Sequence, residues 1–308
     1  MNNSITEILD KYNLKVSKFS YINKCIIIDT NKGKYVLKRK KKIDKKEIYD
    51  YLLSRNFSFF LYPENIFTND YEMYPYIDEI NTLKEEKAKH LIDIMAEMHV
   101  RTTTYKEYSL DEIKEIYEEV KNKINSLKLF YENLEQKFSE SIYPAPYELL
   151  FLTNVSKIYN SLDYGNILLE EWYKSVVSNR KRRICLIHNH LSLDHFIDRK
   201  DAKLINFDYS KYDSPVYDFV NFYKKHYYEL DMTCLFSSYQ YKYLYTKEEI
   251  LLLFVSIILP NKIQLKKDAS YNTYIIHQLV EYIDITRDFI LKEQKKYQKE
   301  DEEKLNKK

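Results

Sequence analysis

Between residues 183 and 218 the chain gathers side chains that can move protons or hold metal ions. They are His188, Asn189, His190, Ser192, Asp194 and His195, then Asn206, Asp208 and Ser210, then Asp213 and Asp218. Imidazole titrates near neutrality and can take the proton of a hydroxyl. Carboxylate and amide oxygens suit Mg²⁺, whereas imidazole with carboxylate suits Zn²⁺. Three histidines with this many acids make too dense a set for a plain core. Two short apolar runs, 184–187 and 203–207, lead into the clusters. Such runs, bounded by polar residues, read as strands. As neighbouring strands they would set both clusters at one end of a small sheet, facing each other.

The rest of the chain must position that stretch. Its 308 residues suffice for one large domain or two closely joined lobes. A formal net charge of +2 gives no electrostatic case for nucleic acid or a membrane surface. Cys25, Cys185 and Cys234 show no CxxC spacing and lie in apolar contexts, which suggests reduced thiols and a cytoplasmic compartment. The first ten residues do not read as a signal peptide. The longest apolar run, 250–259, is about half of a bilayer span and reads as a buried helix.

Periodicity and turn chemistry predict the order of elements. A short helix over 5–12 precedes a strand over 15–21. A β-hairpin follows, with strands 25–29 and 35–39 and a turn carrying Asn31 and Gly33. A helix spans 43–55, beginning at Ile43 or Asp44. Short strands are expected over 57–62, 65–69 and 71–77. Helices then cover 83–99, 110–140 (one or two), and 149–179 (one or two), with Pro144 and Pro146 as breakers. After Asp218, helices are expected over 217–228, 235–244, 246–259 and 269–291. The third starts on a Thr246/Glu249 capping box. From Lys292 onward the residues are almost all charged or amide and read as a solvated helix extension or a disordered tail.

The central stretch resembles the catalytic half of the kinase-like phosphotransferases, the aminoglycoside and choline kinase group. That group carries H-G-D-x-x-x-x-N on a loop, then an apolar strand ending I-D-[FW]-[DE], then G-D-P-x-x-D-[LF]. The matching residues here are His188, Asn189, His190 and His195, then Ile205, Asn206, Phe207 and Asp208, then Asp213, Ser214, Pro215, Tyr217, Asp218 and Phe219. The resemblance implies an α+β, two-lobed protein-kinase-like fold with a small antiparallel-sheet N-lobe and a mainly helical C-lobe. It implies lobes over 1–78 and 79–292, the latter with its catalytic-loop hairpin at 184–208, and a charged tail over 293–308. A cleft between the lobes would hold Lys38, His190, His195, Asn206 and Asp208.

The resemblance also assigns roles. In the group the loop Asp accepts the hydroxyl proton, while the loop Asn and the strand Asp hold Mg²⁺ against the phosphates. This chain has His190, His195 and Asn206 at those positions. His190 therefore occupies the position of the catalytic base, and Asn206, Asp208, His195 and Asp194 are the candidate metal ligands. His188 would be a structural anchor, and Asp218 a brace from the following helix. Lys38, on the strand after the hairpin, stands where the fold keeps its phosphate-binding Lys. Glu47 is the candidate acid to pair with it, and ATP with Mg²⁺ is the implied cofactor set. T-N-K-G-K-Y-V-L-K-R, A-E-M-H and L-Y-T-K-E-E-I-L-L-L-F-V-S-I-I-L-P are similar to the CotS-type spore-coat kinase-like proteins, over about residues 5–295.

Three functions follow as expectations. The substitutions at all three chemical positions favour a catalytically degenerate, pseudokinase-type scaffold or ligand-binding module. The alternative is an active ATP-dependent phosphotransferase acting on an alcohol of a small molecule or protein, with His190 as base. A more distant one is a metal-dependent hydrolase, since H-N-H-L-S-L-D-H is loosely similar to the H-x-H-x-D-H of metallo-hydrolases. The sequence identifies neither substrate nor partner, and a spore-coat location rests on the resemblance alone.

Overall fold

The computed structural model describes residues 3–22, 25–41, 45–64 and 70–306, with side chains from 5 to 297 among them. The expected strand over 65–69 and the expected helix start at Ile43 or Asp44 lie outside these residues. The chain divides into two compact units, one of Met1–Thr102 with Ser192–Lys211, the other of Thr103–Leu191 with Tyr212–Lys308. The lobe boundary expected at residue 78 falls inside the first unit.

The first unit is built on an antiparallel sheet in the order β1 (Val16–Ile22), β2 (Cys25–Thr30), β3 (Gly33–Arg39) and β4 (Tyr71–Pro75). Side chains alternate across a pleated strand. Leu37 therefore faces a core with Ile28 and Met73, closed by Ile5, Ile8 and Leu9 of helix α1 (Asn3–Lys11). Lys38, the next residue, must face the other way. In the register of the sheet its partner on β4 is Glu72. Gly33, at φ 128°, adopts at the turn a backbone conformation that L side chains rarely reach.

Helix α2 (Lys46–Ser54) lays Tyr49 against Phe60 and Phe207, at ring-centroid distances of 5.0 and 5.9 Å. This aromatic wedge anchors the segment that follows strands β7 (Phe196–Ile197) and β8 (Lys203–Leu204). Helix α3 (Lys84–Thr102) completes the unit. The expected strand over 57–62 reduces to a single bridge between Phe60 and Leu204.

The second unit contains strand β5 (Thr104–Glu107), helices α4 (Leu110–Ser139) and α5 (Pro146–Asn179), strands β6 (Lys181–Ile187) and β9 (Lys211–Asp213, entering from the first unit), and helices α6 (Val216–His226), α7 (Met232–Lys242), α8 (Lys247–Ile258) and α9 (Ala269–Asn306). Helices α4 and α5 are each continuous. Pro146 opens α5 where a missing N–H costs nothing, and the Glu148 carboxylate accepts from the Ala145 backbone 2.8 Å away. Gly165 of α5 lets α8 come close: a Cβ there would stand 2.9 Å from Leu259 Cδ2. The Thr246/Glu249 capping box forms, and Glu249 also pairs with Arg183 in a partly buried contact. The charged C-terminal segment continues α9 as helix. Among the described residues no helix is long and apolar enough to cross a membrane.

One expectation about the central stretch is corrected. The runs 184–187 and 203–207 are not neighbouring strands of one sheet. β6 pairs antiparallel with β5 and lies between β5 and β9, whereas β8 pairs with β7. The reason is local closure. The chain turns after residue 197 and pairs with itself over a short loop, while the seven residues of β6 find a partner in Thr104–Glu107.

Candidate functional site

In the first unit a set of charged side chains converges on Asp208, which is 1% exposed. Asp208 Oδ2 is 2.6 Å from Lys38 Nζ and 3.4 Å from Lys41 Nζ; Asp208 Oδ1 is 2.6 Å from Lys45 Nζ. Lys45 Nζ also lies 2.6 Å from Glu72 Oε2, to which the Tyr74 hydroxyl donates at 2.9 Å. Burial alone would raise the Asp208 carboxyl; hydrogen bonds and charges from Lys38 and Lys45 overcome it and hold it down at about 2. Burial likewise opposes the charge on Lys45, yet Asp208 and Glu72 raise its pKa above the ordinary lysine value. Lys41 lies over the Tyr209 ring, 3.8 Å from its centroid.

Asn206 takes a left-handed backbone, φ 73°, which Asn tolerates better than most residues and which aims its side chain at Lys38. Lys38 Nζ donates to Asn206 Oδ1. The amide Nδ2 therefore donates to His195 Nε2, 3.0 Å away, and this puts the imidazole proton on Nδ1. Asp194 is exposed, with its backbone N–H held by Ser192 Oγ at 3.1 Å.

Sequence reading therefore brings Lys38, His195, Asn206 and Asp208 together, and the structure places all four within the first unit. It does not bring Glu47 to Lys38. Glu47 is exposed on α2, and Lys38 bonds Asn206 and Asp208 instead. The reading missed Lys41, Lys45 and Glu72. The signal for Glu72 was its place directly opposite Lys38 across two strands, where unlike charges attract. Lys41 and Lys45 were hidden in the lysine-rich run 38–46, which in sequence looks like a solvated face. Cys25, expected in apolar surroundings, is opposite Lys38 in the sheet register, its thiol pushed up chiefly by burial.

In the second unit the loop after β6 is fixed from α6. The Asp218 carboxylate accepts from the backbone N–H of His188 at 2.8 Å and of Asn189 at 2.6 Å. His188 is fully buried, whereas His190 is exposed. Asn189 adopts φ 58°, at the position where H-G-D has glycine. Asn221 of α6 donates through Nδ2 to Asn189 Oδ1, 3.4 Å away.

The donor set decides what the first-unit cluster could hold. Lys38, Lys41 and Lys45 face Asp208 and Glu72, so one positive charge is in excess. Asn206 adds no charge, and His195 Nε2 is engaged by Asn206. A divalent cation needs free anionic oxygens, and those of Asp208 are taken by ammonium groups. The residues offer their excess positive charge to an anion and do not fit Mg²⁺. Among the described residues no group of three or more His, Cys, Asp and Glu is gathered that could hold a metal ion.

No protein-family model matches the chain, and no curated protein sequence matches it. Solved structures do. An aminoglycoside phosphotransferase from Alicyclobacillus acidocaldarius superposes with a TM-score of 0.70 at 11% identity, over 94% of this chain and 94% of that one. A spectinomycin phosphotransferase, in a complex with ADP and spectinomycin, gives 0.52 at 13% identity, over 92% of this chain and 98% of that one. Its AMP-bound complex gives 0.52 at 12% identity, over 93% and 94%. At such identities what is shared is architecture, and the architecture of this chain is the kinase-like phosphotransferase fold, with a small antiparallel sheet in its N-terminal region and a mainly helical C-terminal part.

Proposed function

We propose that the chain is a catalytically degenerate, kinase-fold ligand-binding module that takes the phosphates of a nucleotide on Lys38, Lys41 and Lys45 without a divalent metal. The observation that carries this reading is Asp208, whose two carboxylate oxygens meet three ammonium groups. Mg²⁺ would have to displace ammonium groups already at 2.6 Å, in surroundings where a charge once paired is hard to unpair. Phosphate oxygens would instead find the excess positive charge. The complexes of the spectinomycin phosphotransferase with ADP and AMP support nucleotide as the ligand class.

Calorimetric titration of ADP and ATP into the full chain tests this. Binding of equal strength in EDTA and in millimolar Mg²⁺ is the expected result. Binding that requires Mg²⁺, or Mg²⁺-dependent release of ADP from ATP in the presence of an alcohol, would overturn it.

The backbone brace of the 188–190 loop favours a second reading, an active phosphotransferase. The Asp218 contacts to His188 and Asn189 keep in shape a loop that a pure scaffold would not need. The exposed imidazole of His190 would then take the proton of an acceptor hydroxyl. A His190→Ala variant separates the two readings. Loss of a measurable ATP turnover supports the enzyme; a parent chain with no turnover, and unchanged nucleotide affinity in the variant, supports the module.

A further inference from the structure

The second unit holds a cavity of about 190 Å³ away from the loop after β6. Part of its wall is apolar and buried: Trp172 and Val176 of α5 and Leu252 of α8. Tyr105 of β5 and Tyr108 just beyond it line the cavity from nearer the surface. The Tyr108 N–H donates to the Arg180 carbonyl, 2.8 Å away, which ties the end of β5 to the start of β6. Every residue of the wall belongs to the second unit, and residues 188–190 are not among them. Arg183, which is in the wall, lies ~13 Å of strand before Ile187, the last residue of β6.

The charges of the wall do not all cancel. Arg183 is taken by Glu249, with Nε donating to Oε1 at 3.0 Å and a terminal nitrogen donating to Oε2. Arg182 pairs with Glu112 of α4 at 2.6 Å and lies over the Tyr108 ring, 4.4 Å from its centroid. Lys181 and Glu248 are left. Among the described residues neither forms an ion pair; even Glu107, opposite Lys181 in the register of β5 and β6, does not pair with it. Glu248 is nonetheless fixed in place. Its Oε1 accepts from Ser175 Oγ at 2.8 Å and from Asn179 Nδ2 at 3.4 Å. Burial opposes its charge, yet hydrogen bonds hold its carboxyl below the ordinary carboxylate value. Neutral donors position a carboxylate without cancelling its charge. One cavity thus carries an unmatched anion, an unmatched cation and an apolar surface.

We propose that this cavity binds an apolar α-amino acid, with its ammonium on Glu248, its carboxylate on Lys181 and its side chain against Trp172, Val176 and Leu252. Charge matching selects the class. A simple amine would leave Lys181 unmatched beside a second positive charge, and a simple acid would leave Glu248 beside a second negative one. A zwitterion answers both. Size agrees, since a cavity of roughly 150 Å³ takes a benzene ring and this one is somewhat larger. A ring or a branched chain with a short charged end therefore fits. The site is separate from Lys38 and requires neither bound nucleotide nor phosphoryl transfer.

The test is calorimetry on the full chain without nucleotide, with the emission of Trp172, the chain's single tryptophan, followed in parallel. The probes are L-phenylalanine, L-leucine, phenethylamine, hydrocinnamate and glycine. At least one of the two apolar amino acids binds and shifts the Trp172 emission, about tenfold or more tighter than phenethylamine, hydrocinnamate or glycine. The tighter of the two shows whether a ring or a branched chain is preferred. Glu248→Gln and Lys181→Met each lower that affinity by about tenfold or more, and Lys38→Met leaves it unchanged. Glu248→Gln keeps an oxygen for Ser175 and Asn179, and Lys181 is exposed, so both variants keep the parent's Tm and the loss is not misfolding. Four results would each overturn the proposal: binding of neither amino acid, phenethylamine or hydrocinnamate binding as tightly as the amino acid, amino-acid affinity unaltered in Glu248→Gln or in Lys181→Met, or binding that leaves the Trp172 emission unchanged.

Discussion

Asp208 and Asp218 are both buried carboxylates, and the chain uses them in opposite ways. Asp208, in the first unit, is held by side-chain ammonium groups. Asp218, in the second, is held by two backbone N–H groups of the loop after β6. A side-chain partner can be exchanged in evolution for another of similar charge. A backbone N–H has no substitute, so its acceptor must stay or the loop must change shape. That difference fits a chain that carries Asp218 at the bracing position of the kinase-like pattern it resembles, with His190, His195 and Asn206 where that pattern has the loop Asp, the loop Asn and the strand Asp.

The contrast can be broken at several points. The largest effect is expected at Lys45, 4% exposed, between Glu72 and Asp208. Lys45→Met leaves the buried Glu72 without its ammonium and takes one of three from Asp208, and is expected to destabilise the first unit by about 3–5 kcal/mol in urea unfolding. Asp218→Ala leaves two loop N–H groups without their charged acceptor. It should cost roughly 3 kcal/mol, with faster amide exchange confined to residues 188–190 and no change in ADP affinity. If ADP affinity falls as much as stability does, the two regions are not separable in this way.

Nucleotide affinity should respond to Lys38. Lys38→Met removes a partly exposed ammonium and is expected to weaken ADP by roughly tenfold to a hundredfold. The melting temperature should move little, because Lys41 and Lys45 remain on Asp208. The pH dependence is a smaller effect with a definite sign. The carboxyl of Asp208 sits at about 2 in the folded chain against an ordinary 3.8, so its contribution is present above about pH 4 and lost as pH falls toward 2. It amounts to about 2 kcal/mol. Lys45, raised above 10.5, contributes below that pH and loses its contribution as pH rises through its folded value. The cluster is therefore expected to be most stable between about pH 4 and 10.5, and an Asp208→Asn chain should lack the acid limb of the curve. The smallest effect is expected at Asn206→Asp, which puts an anionic oxygen where the neutral amide stands. With Lys38, Lys41 and Lys45 still on Asp208, ADP binding should stay indifferent to Mg²⁺ in that variant. Binding that becomes Mg²⁺-sensitive would mean that the neutral amide, rather than the ammonium groups, excludes the metal.

Much of this was legible in the residues. The 25–39 hairpin followed from its turn chemistry, the long helices from their apolar period, and the Thr246 cap from a four-residue pattern. The meeting of Lys38 with Asn206 and Asp208, 168 and 170 residues apart in the chain, followed from the resemblance to the kinase-like group. Strand β5 was not legible, because T-Y-K-E carries no apolar alternation and is a strand only by pairing with β6. Lys41 and Lys45 were illegible for a related reason. In a run of lysines nothing local distinguishes the one that will be buried.

What the sequence determined alone was therefore whatever depends on neighbours within a few residues: helix periods, caps, turns, and the left-handed backbone that Asn189 and Asn206 can both adopt. What only the tertiary structure decided was the fate of charges. A lysine's ordinary charge is the same in every local sequence, but two carboxylates hold it on Lys45 against burial, while burial, and then the charge of Lys123, pushes Lys224 down to about 7. Solvation and Coulomb energies depend on everything within several ångströms, and in a folded chain most of that comes from residues distant in sequence.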